Sequence, residues 1–68
     1  MNISIREHII GNFKGDSLED ISMAIDESIN SHDEVTLPGL GVFMSLIWEN
    51  SSDEEKNSIV KKIKEALE

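Results

Sequence analysis

Few residues of this 68-residue chain could carry out chemistry, and their spacing matches no catalytic motif. Ser4 and His8 could supply a nucleophile and its base, but no acidic residue at a suitable spacing completes a triad. Gly39 and Gly41 could open a phosphate-binding loop. However, Met44 stands where a dinucleotide fingerprint needs its third glycine, and no P-loop lysine follows. We therefore predict that the chain is not an enzyme and holds no cofactor.

Candidate metal ligands are no better arranged. The chain has no cysteine, which excludes a Cys-based zinc site, and His8 and His32 lie too far apart to suggest a metal motif. The acidic run Asp53-Glu54-Glu55 lacks the spacing of an EF-hand loop. We interpret it as the first turn of a helix, where carboxylates face the positive end of the helix dipole. The sequence predicts no metal site.

The charge of the chain disfavours nucleic acid as a partner. Fourteen acidic and six basic side chains give a net charge of -8, whereas binding to DNA phosphates requires clustered Lys and Arg. Lys61, Lys62 and Lys64 are interpreted as a solvated face near the C-terminal end of a helix dipole. In acid the carboxylates lose their charge and the basic side chains and histidines dominate, so we expect the protein to stay soluble there.

Length and hydropathy indicate one small domain, spanning residues 1–68. A core of this size contributes roughly 3–5 kcal/mol to the free energy of unfolding unless a crosslink or metal adds to it. We therefore expect either a monomer of low stability or a protein that is stabilised by a partner. No apolar run reaches the length of a membrane span, and the first residues do not form a secretory signal. The expected location is the cytoplasm, with no membrane partner.

Three segments begin with a helix-capping signal, at Ser4, at Asp16 or Ser17, and at Ser52. Gly15 is a suitable stop because glycine readily adopts the left-handed conformation that ends helices. The predicted helices cover about 5–14, about 17–31, and a last segment that begins after Ser52. Their apolar stripes are Ile5, Ile9 and Phe13; Leu18, Ile21, Ile25 and Ile29; and Ile59, Ile63, Ala66 and Leu67.

The apolar stretch 35–48 leaves two alternatives open. As a hairpin, residues 35–46 would form two strands around a Pro-Gly turn. As a helix, the stretch would place Pro38 in the first turn, where its missing N–H costs nothing. We favour the helix because no second turn signal follows. A helix apolar nearly all round is a buried, central one, and Gly39 and Gly41 would let another helix approach it closely.

Trp48 is the single tryptophan of the chain and has two interpretations. It could anchor the core, or it could belong to a self-complementary dimer interface, since tryptophan is enriched at binding hot spots. A fold of this size can hardly cover every apolar side chain of this helix. The candidate interface residues are Leu40, Phe43, Met44, Ile47 and Trp48.

The stretch Leu37-Pro-Gly-Leu-Gly-Val, followed by an apolar run and Ile47-Trp48, resembles the signature of the small acid-soluble spore protein I family. Arg6 and His8 near the start and Glu55-Lys-Asn after the tryptophan also fit, so the resemblance covers essentially the whole chain. It implies a minor spore protein that is made in the forespore, is held in the spore core and has no assigned activity. A structural or interaction role is expected, with a second copy or another spore-core protein as partner.

The segment from Asp33 to Phe43 is also similar to the first strand and turn of the bacterial histone-like HU family, which follow a helix pair. That resemblance implies the alternative α+β fold with a hairpin at 35–46, and a nucleoid-associated protein. The basic arm with which HU binds DNA has no counterpart here, because the corresponding stretch is Glu49-Asn-Ser-Ser-Asp-Glu-Glu. DNA binding is therefore not expected. Because we favour a helix at 35–48, the favoured fold is all-α, a small bundle of four short helices with the central apolar helix in the middle.

Overall fold

The computed structural model describes residues 4–68, and every regular element in that range is helical. The elements are, in chain order, α1 (Ile5–Phe13), α2 (Leu18–Asn30), a 3-10 turn (Glu34–Thr36), α3 (Leu37–Glu49) and α4 (Asp53–Leu67). The predicted all-α fold with four short helices is confirmed. The alternative hairpin at 35–46 is wrong, because the 3-10 turn and α3 occupy that stretch.

Serine side chains begin three of the helices, as the sequence predicts. Each hydroxyl accepts a hydrogen bond from the backbone N–H three residues later; the serines are Ser4, Ser17 and Ser52. At Ser52 the capping box is complete, because its own N–H donates to the Glu55 carboxylate at 2.9 Å. Gly15 follows α1 with a φ of 91°, in the left-handed region. The ends of α1 and α2 are thus set locally, within a residue of the predicted bounds.

The connection between α2 and α3 explains why the chain continues as a helix. The Thr36 hydroxyl donates to the Ser28 carbonyl at 3.1 Å and to the Asp33 carbonyl at 2.7 Å, which ties the 3-10 turn to α2. Pro38 lies in the first turn of α3, where its fixed φ suits a helix and no hydrogen bond is lost. Because residues 34–49 are helical, Pro38 and Gly39 do not form a turn around which two strands could pair.

Helix α3 is central but is not buried. It packs against both α1 and α2, yet Val42, at 9% exposure, is the single buried residue within 4–68. The expectation of a buried α3 is therefore wrong, because three short helices cannot surround an element that is apolar on all sides. Its outer face, formed by Leu37, Met44 and Trp48, remains exposed.

The two glycines of α3 differ in their surroundings. A Cβ built on Gly39 would lie 3.6 Å from Ile9 Cδ1, so α1 approaches α3 at this position, at an ordinary contact distance. A Cβ on Gly41 would meet no atom within 4 Å. The predicted close approach of another helix is thus found beside Gly39 and not at Gly41.

A polar link joins α1 to the far end of α3. The Arg6 guanidinium binds both carboxylate oxygens of Glu49, at 2.7 and 3.0 Å, and also donates to Ser45 Oγ at 2.8 Å. The forked geometry of arginine matches a carboxylate, which fixes the relative position of the two helices. Both charged side chains are partly exposed, so the link orients the helices more than it stabilises them.

The chain is less compact than its length allows. Its Cα radius of gyration is 13.4 Å, against about 11 Å for a compact fold of this length. Its accessible surface is 5853 Å², roughly 1,500 Å² more than a folded monomer of this mass exposes. The excess arises because α4 contacts the other helices only sparsely.

Candidate functional site

An apolar groove opens where α1, α2 and α3 meet, and we refer to it as the α1–α3 groove. Its volume is about 480 Å³. The residues that line it include Ile10 and Phe13 from α1, Ile21 and Ile25 from α2, and Phe43 and Ile47 from α3. Phe13 belongs to the predicted apolar stripe of α1, and Ile21 and Ile25 belong to that of α2, so the groove is the uncovered part of the core.

A pair of aromatic rings forms part of the groove wall. The centroids of Phe13 and Phe43 are 5.0 Å apart and their planes meet at 74°. This edge-to-face arrangement is favoured by the ring quadrupoles. The pair joins α1 to α3 and holds that side of the groove in shape. Lys14 also lines the groove and adds a positive charge to the apolar surface.

Helix α4 carries a second uncovered apolar surface. Helical periodicity places Ile59, Val60, Ile63 and Leu67 on one side of the helix, which we call the α4 stripe. Val60, Ile63 and Leu67 are 45–81% exposed. Most helices with such a stripe bury it against a core. Most of the α4 stripe lacks that packing contact.

The first turns of α4 are held against the outer face of α3. The Lys56 ammonium lies 5.3 Å from the centre of the Trp48 ring, a cation–π contact. Trp48 is 38% exposed, so the interpretation of this residue as a core anchor is wrong. Trp48 follows Ile47 by one residue, about 100° around the helix. Its contact with Lys56 therefore keeps α4 on a different side of α3 from the α1–α3 groove.

The predicted interface residues divide among three surfaces. Phe43 and Ile47 line the α1–α3 groove, whereas Met44 and Trp48 lie on the outer face of α3. Leu40 lines a separate depression of about 260 Å³ beside the 3-10 turn. The sequence did not predict the α1 and α2 sides of the groove as an interface, because their apolar stripes have the spacing typical of residues buried in a core.

The two histidines lie on helix surfaces or ends and not in a catalytic or metal site within the described residues. His8 is exposed and within 3.4 Å of the Asn12 amide on the next turn of α1. His32 has a φ of 53° and follows the end of α2. Within residues 4–68, no three histidine or acidic side chains converge as metal ligands. None of the helices described in that range is long and apolar enough to cross a membrane.

The capping box at the start of α4 affects the pKa of Glu55. Hydrogen bonds from Ser52 lower the pKa of Glu55 below its usual value of 4.5. The bond from the Ser52 N–H has the larger effect and that from its hydroxyl the smaller. The carboxylate is therefore part of the helix cap, as the spacing of the acidic run predicts.

Comparison with known proteins gives a family. A sequence profile described as "Small, acid-soluble spore protein I" matches residues 3–67. The chain belongs to the small acid-soluble spore protein I family. Relatives of that name from Bacillus subtilis (strain 168) and Bacillus velezensis are 36% and 34% identical over 67 residues, covering 98% of this chain and 94% of theirs. The relative from Halalkalibacterium halodurans is 31% identical over 68 residues, the full length of both chains. No solved structure matches the chain.

Family membership confirms the resemblance drawn from the Leu37–Trp48 stretch. It makes the chain a spore protein of the small acid-soluble class, and the matched residues include all four helices described above. The apolar residues of the Leu37–Trp48 stretch lie in α3, and some of them form one wall of the α1–α3 groove.

Proposed function

We propose that the chain is a non-enzymatic protein of the forespore and spore core, where it has a structural or interaction role. The observation that carries the proposal is the pair of uncovered apolar surfaces, the α1–α3 groove and the α4 stripe. Soluble monomers rarely expose large continuous apolar surfaces unless these are used for binding. A spore protein of this size that leaves its core open is suited to holding a protein surface.

The net charge supports a protein partner over DNA. At -8 the chain repels a polyanion as a whole. Its lysines 61, 62 and 64 are accompanied by acidic residues on the same helix. Binding to double-stranded DNA should therefore be undetectable in a mobility-shift assay at physiological salt.

A photo-crosslinking experiment in sporulating cells tests the proposal. A photoreactive amino acid replaces Ile47 in the groove, and a matched control carries it at Glu65 on the polar side of α4. We expect both proteins in the spore-core fraction, with adducts to protein from position 47 and few from position 65. Absence from the core, or equal adducts from the two positions, would contradict the proposal. Steeply salt-dependent binding to DNA would favour a nucleoid-associated role instead.

A further inference from the structure

We propose that the partner of the α1–α3 groove is the α4 stripe of a second copy of this chain. The inference deepens the proposed function and rests on it, because it names the occupant of the same surface. Each copy has one groove and one stripe, so two copies can exchange their α4 helices reciprocally. Such an exchange closes on itself with two-fold symmetry and leaves neither surface exposed.

The two surfaces are matched in chemistry. The groove is lined by branched aliphatic and phenylalanine side chains, and the stripe presents aliphatic side chains of the same kind along a helix of 15 residues. A helix of that length extends for about 22 Å. The stripe follows the spacing with which amphipathic helices enter apolar grooves.

Charge complementarity supports the same arrangement. The body that contains the groove, residues 4–50, has nine acidic and two basic side chains, and the charged residue that lines the groove itself is Lys14. The second half of α4, residues 61–67, contains three lysines and one glutamate. Lys62 and Lys64 flank the stripe on either side, whereas Lys61 lies on the opposite side of the helix. A docked α4 would therefore bring two lysines toward the acidic body.

The excess exposed area of the chain is of the size that a dimer interface removes. The chain exposes roughly 1,500 Å² more than a compact monomer of its mass, and a standard interface removes about 800 Å² from each partner. The Trp48–Lys56 contact holds the chain's own α4 away from its own groove. In the proposed dimer the groove is therefore filled by the α4 stripe of the other copy.

Two half-exposed positions allow each surface to be tested without removing a buried side chain. Ile47 is 49% exposed in the groove and Ile63 is 45% exposed in the stripe. We expect wild type to sediment as a dimer, and Ile47→Lys and Ile63→Lys each to weaken dimerisation by about 100-fold. Each substitution occurs at both symmetric contacts, and losing one such contact costs roughly tenfold or more. Lys61→Glu, on the far side of α4, is the control and should leave the dimer intact.

A mixture of the two variants distinguishes exchange from other dimers. The Ile47→Lys chain keeps a working stripe, and the Ile63→Lys chain keeps a working groove. Mixing them should therefore restore heterodimers through one intact contact, although each variant alone is monomeric. Packing of groove on groove, or of stripe on stripe, would leave one of the two variants dimeric and would overturn the proposal.

Disulfide trapping tests the contact with small apolar substitutions that do not depend on the lysine variants folding. The chain has no cysteine, so Ile47→Cys and Ile63→Cys can be made in separate chains of different mass and mixed under mild oxidation. A crosslink between the two chains is expected, whereas a mixture of Ile47→Cys with Glu65→Cys should give little.

The result also separates this inference from the proposed function. A wild-type protein that is monomeric at millimolar concentration refutes the exchanged dimer. If that monomer still crosslinks to another protein through position 47 in the spore core, the interaction role stands. Absence from the spore core refutes the proposed function whatever the assembly state.

Discussion

Replacing Gly41 with alanine should stabilise this protein. Gly41 lies inside α3, and a Cβ built there would meet no atom within 4 Å. A glycine inside a helix costs about 0.5–1 kcal/mol relative to alanine, because the unfolded chain loses more freedom on folding. Since no neighbour has to move, nearly the whole difference should appear as a gain in the free energy of unfolding.

The expected gain is large for a protein of this size. A single core in so short a chain supplies only about 3–5 kcal/mol, and a change of 1 kcal/mol shifts the Tm of a small domain by about 4–8 °C. Thermal unfolding followed by circular dichroism should therefore show a Tm several degrees above wild type. Urea titration should show a higher midpoint with an unchanged slope, because the surface exposed on unfolding stays the same.

Gly15 provides the matched control for this prediction. It has a φ of 91°, a left-handed conformation that costs a residue with a Cβ about 1–2 kcal/mol. Gly15→Ala should therefore lower the Tm, while Gly41→Ala raises it. A Gly41→Ala protein that is no more stable than wild type would refute the open environment of this side of α3. It would mean that another surface covers position 41 in solution.

Three further predictions concern side chains whose roles the structure defines. Trp48→Ala should cost less than the 3–5 kcal/mol of a fully buried tryptophan, because the ring is already 38% exposed, and urea unfolding measures the loss. Arg6→Gln should lower stability by about 1 kcal/mol or less, since its ion pair with Glu49 is exposed, and the loss should shrink in high salt. The lowered pKa of Glu55 means that its carboxylate stabilises the folded state fully well above pH 4.5. That contribution should decline as the pH falls through that value and disappear below the lowered pKa.

A defined result would contradict each of these three predictions. Complete unfolding of the Trp48→Ala protein at 25 °C would restore the interpretation of this residue as a core anchor. A loss on Arg6→Gln that is large and independent of salt would place the ion pair in a buried setting. Glu55→Gln is the control for the pH dependence of stability, because it removes the titrating carboxyl group. If its stability depends on pH as steeply as that of wild type near pH 4, the Glu55 cap is not the cause.

The sequence alone predicted the features that arise within a few residues of each other. The serine caps, the Gly15 stop and the acidic first turn of α4 depend on backbone groups three or four positions away. Their geometry is therefore the same in any fold that contains these helices. The family resemblance was also readable from Leu37–Trp48, because that stretch consists of residue types in a fixed order.

The sequence favoured a helix over a hairpin at 35–48, because no second turn signal follows, but the contact that fixes the helix lies partly outside that stretch. Its apolar residues have no clear period, and the deciding contact, from Thr36 to the Ser28 carbonyl, joins the segment to α2. The link from Arg6 to Glu49 is likewise invisible in the sequence, because it spans 43 positions. Contacts of this kind exist only after the helices have packed.

Tertiary structure also decided which apolar residues are covered. Leu18 and Ile63 fit their helical stripes as well as Ile21 does, yet Leu18 is 89% exposed and Ile63 is 45% exposed. Periodicity shows which side of a helix is apolar, but it does not show whether another element reaches that side. The α1–α3 groove and the uncovered α4 stripe follow from the number and placement of the helices, because the three short helices around α3 leave part of their apolar surface without a neighbour.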